Sequence, residues 1–189
     1  MSLVSEYLPR LAHALASLDS EKVLESIAKV SEKLDERKTI FIIGNGGSAA
    51  TASHFATDLG KTKSKSGKPG SAVSLCDNSS IITAIANDFS FENVFSNQLE
   101  MLGERGDLLI SISASGKSPN LIKAVEYANS HGIETLSLVG FDGGKIKEVS
   151  LLTLHVATKL GDYGIAEDAH SVICHYMAEQ LRRESAIND

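Results

Sequence analysis

"FIIGNGGSAATASHFATDLG", Phe41 to Gly60, is the stretch on which the fold turns. An apolar run ends at Ile43 in a glycine turn, and helix-forming sequence follows, with His54 and Asp58 four residues apart. Strand, glycine turn and helix together make the repeating unit of a parallel sheet. The same rhythm recurs along the chain. Short apolar segments stand at Thr39–Ile43, Ser71–Leu75, Asp107–Ile112, Glu134–Val139 and Leu151–Val156. Helical stretches at Ser48–Leu59, Ile81–Ile85 with Val94–Leu102, and Pro119–Ser130 separate most of them, and a last helix runs roughly from Glu167 to Glu184. This alternation predicts an α/β fold with a parallel sheet covered by helices on both faces. In such open sheets ligands bind beyond the carboxyl ends of the strands, so the loops there carry the functional weight.

Ahead of the first strand, Leu8, Leu11, Ala12, Leu15 and Leu18 repeat at helical spacing, as do Val23, Leu24, Ile27, Val30 and Leu34. They predict an N-terminal helical pair, the second helix capped by Asp19 or Ser20. The pair can pack on a neighbouring subunit or cover its own sheet.

The chain has 189 residues, enough for one domain with a real core. No apolar run approaches the length of a membrane span. A net charge of −6 argues against nonspecific nucleic-acid binding, which needs a basic footprint. One local exception is "GKTKSKSGKPG", Gly60 to Gly70, with four lysines, read as a solvated loop or as a positive lip for an anionic ligand. Met1 to Arg10 is too polar for a secretory leader. Cys76 and Cys174 sit in apolar surroundings without CxxC spacing, as reduced thiols do, so a cytoplasmic location is expected.

Two strand–loop–helix junctions are rich in Gly and Ser: "GNGGSA", Gly44 to Ala49, and "SISASGKSPN", Ser111 to Asn120. A helix start presents unpaired N–H groups and a positive dipole end, and so attracts anions. Glycine allows close backbone approach, while serine hydroxyls donate to phosphate oxygens. Ser118 can cap the second helix, Pro119 suits its first position, and Ser113, Ser115 and Ser118 would line one anion cup with Lys117 as an extra charge. Two better-known motifs fit less well. A dinucleotide fingerprint needs an acid about 20 residues on, where this chain has its lysine loop. A triphosphate loop would need glycine at Ser111, inside a strand.

His54 and Asp58 share a helix face. The last helix adds Glu167, Asp168, His170 and His175. Neutral imidazole and carboxylate suit zinc, and serve equally as general acid and base without a metal. Glu167 and His175 are separated by about 12 Å along a straight helix, which favours His54, Asp58 and His175 over Glu167 as a cluster. Asp168 and His170 read as surface or capping residues, and His13, His131 and His155 as structural ones.

"GNGGSA" followed by "HFATDL", then "IANDFSFENVFSNQLE", "GDLLISISASGKSPN" and "GFDGGKI", resembles a sugar isomerase (SIS) domain over nearly the whole chain, most closely the phosphoheptose isomerase branch. The resemblance implies a single SIS domain, with helices over residues 1–36 and the α/β core over 37–189. Its core would be a three-layer sandwich around a five-stranded parallel sheet in flavodoxin-like order. The resemblance also implies a homotetramer with active sites between subunits. It implies sugar-phosphate contacts from Asn45, Gly46, Ser48, Asp88, Ser113, Ser115 and Ser118, and a divalent metal, usually zinc, on His54, Asp58, Glu167 and His175. The family pattern has glutamate at Asp58, glutamine at Glu167 and threonine at Ala114, and its late-loop aspartate lies where this chain has Gly164, with Asp162 slightly earlier. The implied activity converts sedoheptulose 7-phosphate to D-glycero-D-manno-heptose 7-phosphate through an enediol, with Asp58 as base and His175 as acid or proton shuttle. The alternatives are a non-catalytic sugar-phosphate sensor or protein-binding tetramer, and an isomerase of another phosphosugar.

Overall fold

The computed structural model describes residues 2–65 and 67–186. Its centre is a five-stranded, all-parallel sheet of β1 (Ile40–Gly44), β2 (Ala72–Ser74), β3 (Leu108–Ser113), β4 (Glu134–Val139) and β5 (Leu152–His155), in the order β2-β1-β3-β4-β5. The helices are α1 (Leu8–Ala16), α2 (Ser20–Asp35), α3 (Gly47–Lys61), α4 (Ser79–Asp88), α5 (Ser96–Leu102), α6 (Pro119–Ser130), α7 (Gly144–Val149) and α8 (Tyr163–Ala186). A π-helical turn, Leu3–Tyr7, precedes α1, and a 3-10 turn, Phe91–Asn93, precedes α5.

The strands read as apolar runs because both faces of the sheet are covered. Alternate residues point to opposite faces. Ile40, Ile42, Leu108 and Ile110 enter a core shared with Ile27, Val30 and Leu34 of α2, Phe55 and Leu59 of α3, and Ile173, Met177 and Leu181 of α8. Phe41, Ile43 and Leu109 enter the opposite core, with Ile85 of α4, Leu99 of α5, and Leu121 and Val125 of α6. Fully burying each such side chain contributes about 1.5–3 kcal/mol, so a one-residue slip of β1 would cost several such terms at once.

Asp19 is the residue that caps α2: its carboxylate accepts the N–H groups of Glu21 and Lys22. The N-terminal pair packs on the chain's own sheet, with α2 in the first core and Lys33 buried in an ion pair to Glu134 of β4 at 2.5 Å. The α8 helix starts earlier than the apolar pattern predicts, at Tyr163, because exposed Tyr163 and Gly164 give its first turn no apolar periodicity.

Strand order fixes where a ligand can go. The chain leaves β1 for β2 on one side and returns to β3 on the other, so α3 packs on one face and α6 on the opposite one. The β1–α3 and β3–α6 loops therefore diverge and open a crevice at the carboxyl ends of β1 and β3. The lysine loop lies elsewhere. A helix that follows a strand runs back antiparallel to it, so the loop after α3 sits at the amino end of the sheet. There Lys65 pairs with Asp35 at the end of α2 (3.1 Å), and the loop cannot serve as a lip to the crevice. Ser66 lies outside the described residues.

Candidate active site

The crevice holds a cavity of about 150 Å³ lined by Asn45, Ser48, Ile112, Ser113, Ala114, Ser115, Ser118, Leu121, Tyr163 and Glu167. The serine loop and the glycine loop thus meet in one polar cup. Ser113 Oγ accepts the Gly116 N–H (3.0 Å) and Ser115 Oγ accepts the Lys117 N–H (3.2 Å). Each hydroxyl is anchored through its oxygen and keeps its own proton to donate to an anion. Ser118 occupies the N-cap position of α6 but forms no side-chain cap bond, which leaves its hydroxyl to the cavity. Lys117 does not supply a charge there: its ammonium pairs with Asp142 at 2.8 Å, and that bond holds the Asp142 carboxyl below its ordinary range.

Backbone geometry makes the cup. Gly116 has φ +63°, and a Cβ there would lie 1.9 Å from the Gly143 carbonyl oxygen. The serine loop is thereby pressed onto the loop before α7, and the Ile146 N–H donates to the Gly116 carbonyl (3.0 Å). Gly46, at φ +55°, has no neighbour within 4 Å of where a Cβ would stand; its conformation calls for glycine while the space beside it stays open.

Past the cup, α3 and α8 run side by side. Both follow strands of one parallel sheet and pack in one core, so both start at the carboxyl edge. Near their starts Ser48 and Glu167 face the cavity, and the Glu167 carboxylate lies over Gly47, where a Cβ would come within 2.5 Å of its Oε2. About two turns further on the helices bring His54 Nε2 to 2.9 Å from His175 Nε2, and Asp58 Oδ2 to 3.4 Å from His54 Nε2. Ligand atoms of His54, Asp58 and His175 all lie within 4.8 Å of one another, the one such group of three among the described residues. Two ligands about 2.0–2.1 Å from a tetrahedral zinc stand roughly 3.3 Å apart, so this donor set fits a single metal ion. Arg182 approaches the other Asp58 oxygen at 3.8 Å.

Two of the expected residues lie apart from these groups. Glu167 belongs to the cup rather than to the histidine cluster. Asp88 is exposed at the end of α4, bonded to the Asn87 side chain (2.9 Å), and does not line the cavity. His170 corrects the reading of a surface or capping residue. It is fully buried, neither ring nitrogen makes a hydrogen bond of good geometry, and burial pushes its pKa down to about 4, opposed only in part by the nearby Val139 backbone. Asp168 is exposed, as expected, and accepts the Tyr7 hydroxyl proton (2.8 Å).

Comparison with known proteins decides the family. The family described as "SIS domain" matches residues 5–140. A phosphoheptose isomerase of Helicobacter pylori strain P12 is 41% identical over 181 residues, covering 93% of each chain. This chain belongs to the SIS-domain family, in its phosphoheptose isomerase branch. A second member of that branch, from Fusobacterium nucleatum, is 36% identical over 187 residues, covering 97% of this chain and 95% of its own. The solved structure of phosphoheptose isomerase GmhA from Neisseria gonorrhoeae superposes with a TM-score of 0.84 at 30% identity, covering 94% of this chain and 96% of that one.

Within the family frame, two cavity neighbours escape sequence reasoning. Tyr163 lines the cup and stacks edge-on against Phe141 (centroids 4.9 Å apart), but it stands before the segment whose periodicity marks α8. Asn120, at the second position of α6, shows no pattern in the sequence; its only signal is that a buried asparagine needs partners, which becomes visible once its 2% exposure is known.

Proposed function

We propose that this chain is a phosphosugar isomerase that interconverts sedoheptulose 7-phosphate and D-glycero-D-manno-heptose 7-phosphate through an enediol. The names of its relatives support the reaction class. The observation that carries the reading is the spacing along the two parallel helices. Ser48 precedes His54 by about 9 Å of helix, and Glu167 precedes His175 by about 12 Å. An extended seven-carbon chain with a terminal phosphate spans about 10 Å at C–C bonds of about 1.5 Å. A phosphate in the serine cup would therefore deliver the far end of the sugar, C1 and C2, to the histidine–aspartate cluster.

Asn45, Gly46, Ser48, Ser113, Ser115 and Ser118 bind the phosphate end and the adjoining sugar. Binding there converts a loose encounter into an oriented one, which is worth several kcal/mol of barrier. Asp58 Oδ2 takes the proton from C1 of the ketose, and His175 Nε2 supplies one to the carbonyl oxygen. The enediol collapses in the reverse sense, a proton returning to C2 and one leaving the C1 hydroxyl. Alternatively, the same atoms of His54, Asp58 and His175 would hold a divalent metal, with zinc favoured by the nitrogen-rich donors; an imidazole nitrogen so used carries no proton to give, and Glu167, in the cup, stands outside that set. When bound, such an ion polarises sugar oxygens as a Lewis acid.

We read the chain as a single SIS domain acting in the cytoplasm as a homotetramer. Among the described residues no helix is long and apolar enough to cross a membrane. Exposed Phe89 and Phe91 closely follow Asp88, an apolar surface that a neighbouring copy would cover, and this supports a role for Asp88 in a site built between subunits.

Incubation with sedoheptulose 7-phosphate in deuterated water, followed by NMR, tests the reaction. The expected result is the aldoheptose phosphate with deuterium at C2. Saturable binding without conversion selects a sensor, and conversion of a different phosphosugar alone selects another isomerase.

A further inference from the structure

We propose that Asn120, which does not line the cavity, is a positioning residue that fixes which way round Asn45 presents its amide to the sugar phosphate; this rests on the isomerase reading. Asn45 Nδ2 donates to Asn120 Oδ1 and Asn120 Nδ2 donates to Asn45 Oδ1, both at 2.9 Å. The two amides form a closed head-to-tail pair. It joins the β1–α3 loop on one face of the sheet to the start of α6 on the other, across the crevice in which the ligand would sit.

Such a pair is self-consistent in two ways only: as found, or with both amides flipped. Flipping one alone would set N–H against N–H and oxygen against oxygen. A third bond removes the ambiguity. The Leu121 backbone N–H donates to Asn120 Oδ1 at 3.0 Å, and it cannot do so to an NH₂ group. Asn120 Oδ1 then has both lone pairs engaged, by Leu121 and by Asn45. The orientation passes from the α6 backbone through Asn120 to Asn45, which lines the cavity while Asn120 is buried. Asn45 keeps one N–H and one lone pair for a ligand, in an arrangement it cannot exchange for the reverse.

A double-mutant cycle in the full chain tests this, with thermal melting, kcat and KM measured for each variant. Asn45→Ala and Asn120→Ala should each lower kcat/KM about tenfold, the usual scale of one lost positioned hydrogen bond. The loss should fall mainly on KM, and the double variant should be no worse than Asn45→Ala alone. Losses that multiply to about a hundredfold, or an Asn120→Ala enzyme indistinguishable from the parent, overturn the proposal. Should Asn120→Ala fail to fold, Asn120→Asp carries the test: it keeps the Leu121 N–H contact but sets a carboxylate oxygen against Asn45 Oδ1 where the Asn120 amide donates. That variant should lose at least as much kcat/KM as a lost positioned hydrogen bond, about tenfold, and activity within about threefold of the parent overturns the proposal. A parent enzyme inactive on sedoheptulose 7-phosphate refutes the isomerase reading alone. The same cycle is then read on the dissociation constant of that sugar phosphate by calorimetry, where additive losses overturn the positioning role. If the parent shows no binding at all, both fall.

Discussion

His54 Nε2 and His175 Nε2 lie 2.9 Å apart, from helices whose contributing residues are 121 positions apart in the chain, with their rings nearly perpendicular. Two neutral imidazoles can share one proton across such a gap, and two protonated ones would repel. With Asp58 on the same helix face as His54, the arrangement suits either the sharing of a proton or the holding of a cation. Both uses depend on α3 and α8 lying side by side, and thus on the apolar face that Phe55, Leu59, Ile173 and Met177 share.

Removing one charge or one ring separates chemistry from binding. Asp58→Asn keeps the side chain's shape and loses the base; His175→Ala loses the acid. Each should lower turnover by about 10²–10⁴-fold, while the sugar phosphate still binds through the serine cup. Stopped turnover with retained binding by calorimetry is the expected pair of results. Near-parental turnover in either variant removes that residue from its role.

Metal binding should register as stability, independently of turnover. Zinc in hundredfold excess over its dissociation constant stabilises the folded chain by about 2.7 kcal/mol, a rise of several degrees in melting temperature. Chelator treatment should reverse the rise, and His54→Ala or His175→Ala should abolish it. A melting temperature indifferent to zinc in the parent protein would show that the cluster works as a metal-free pair.

The fold was legible because a sheet covered on both faces writes itself as apolar runs; β4 and α6 match the apolar pattern to the residue. The two loops of the cup were legible because glycine and serine are costly where the backbone has no special need of them. Other features were not legible because they depend on side chains meeting across the fold. The diversion of Lys117 to Asp142 is one, and the amide pair of Asn45 and Asn120 is another. His170 was misplaced because a histidine on an amphipathic helix looks alike whether it ends in water or against β4. The short α7 was missed because six residues beginning at Gly144 offer less than two turns of periodicity.

Glu167 places a carboxylate in the wall of the cavity proposed for phosphate. Two unit charges about 8 Å apart at an effective dielectric of about 20 repel by about 2 kcal/mol. Glu167→Gln should therefore tighten inorganic phosphate binding by up to about thirtyfold at low ionic strength, with the gain shrinking as salt screens the pair. Titration calorimetry at two salt concentrations checks it. Unchanged or weaker binding in the variant would mean that phosphate sits elsewhere.

His170 makes the chain acid-sensitive in a defined window. Buried and neutral, it has its pKa pushed down to about 4 from an ordinary 6.5, so between those values the unfolded chain binds a proton that the folded chain refuses. Its contribution to stability is whole above pH 6.5 and is lost progressively as pH falls toward 4, by roughly 3 kcal/mol in total. The titrating carboxylates add their own dependence, but they do so equally in a variant without the imidazole. His170→Phe fills a similar space, leaves no unpartnered nitrogen and should flatten the unfolding free energy between pH 6.5 and 4 relative to the parent. Urea unfolding of both proteins at pH 7.5, 5.5 and 4.5 supplies the comparison: the difference between them should grow in the variant's favour as the pH is lowered. Parallel curves would mean that the buried ring takes up its proton without unfolding the chain.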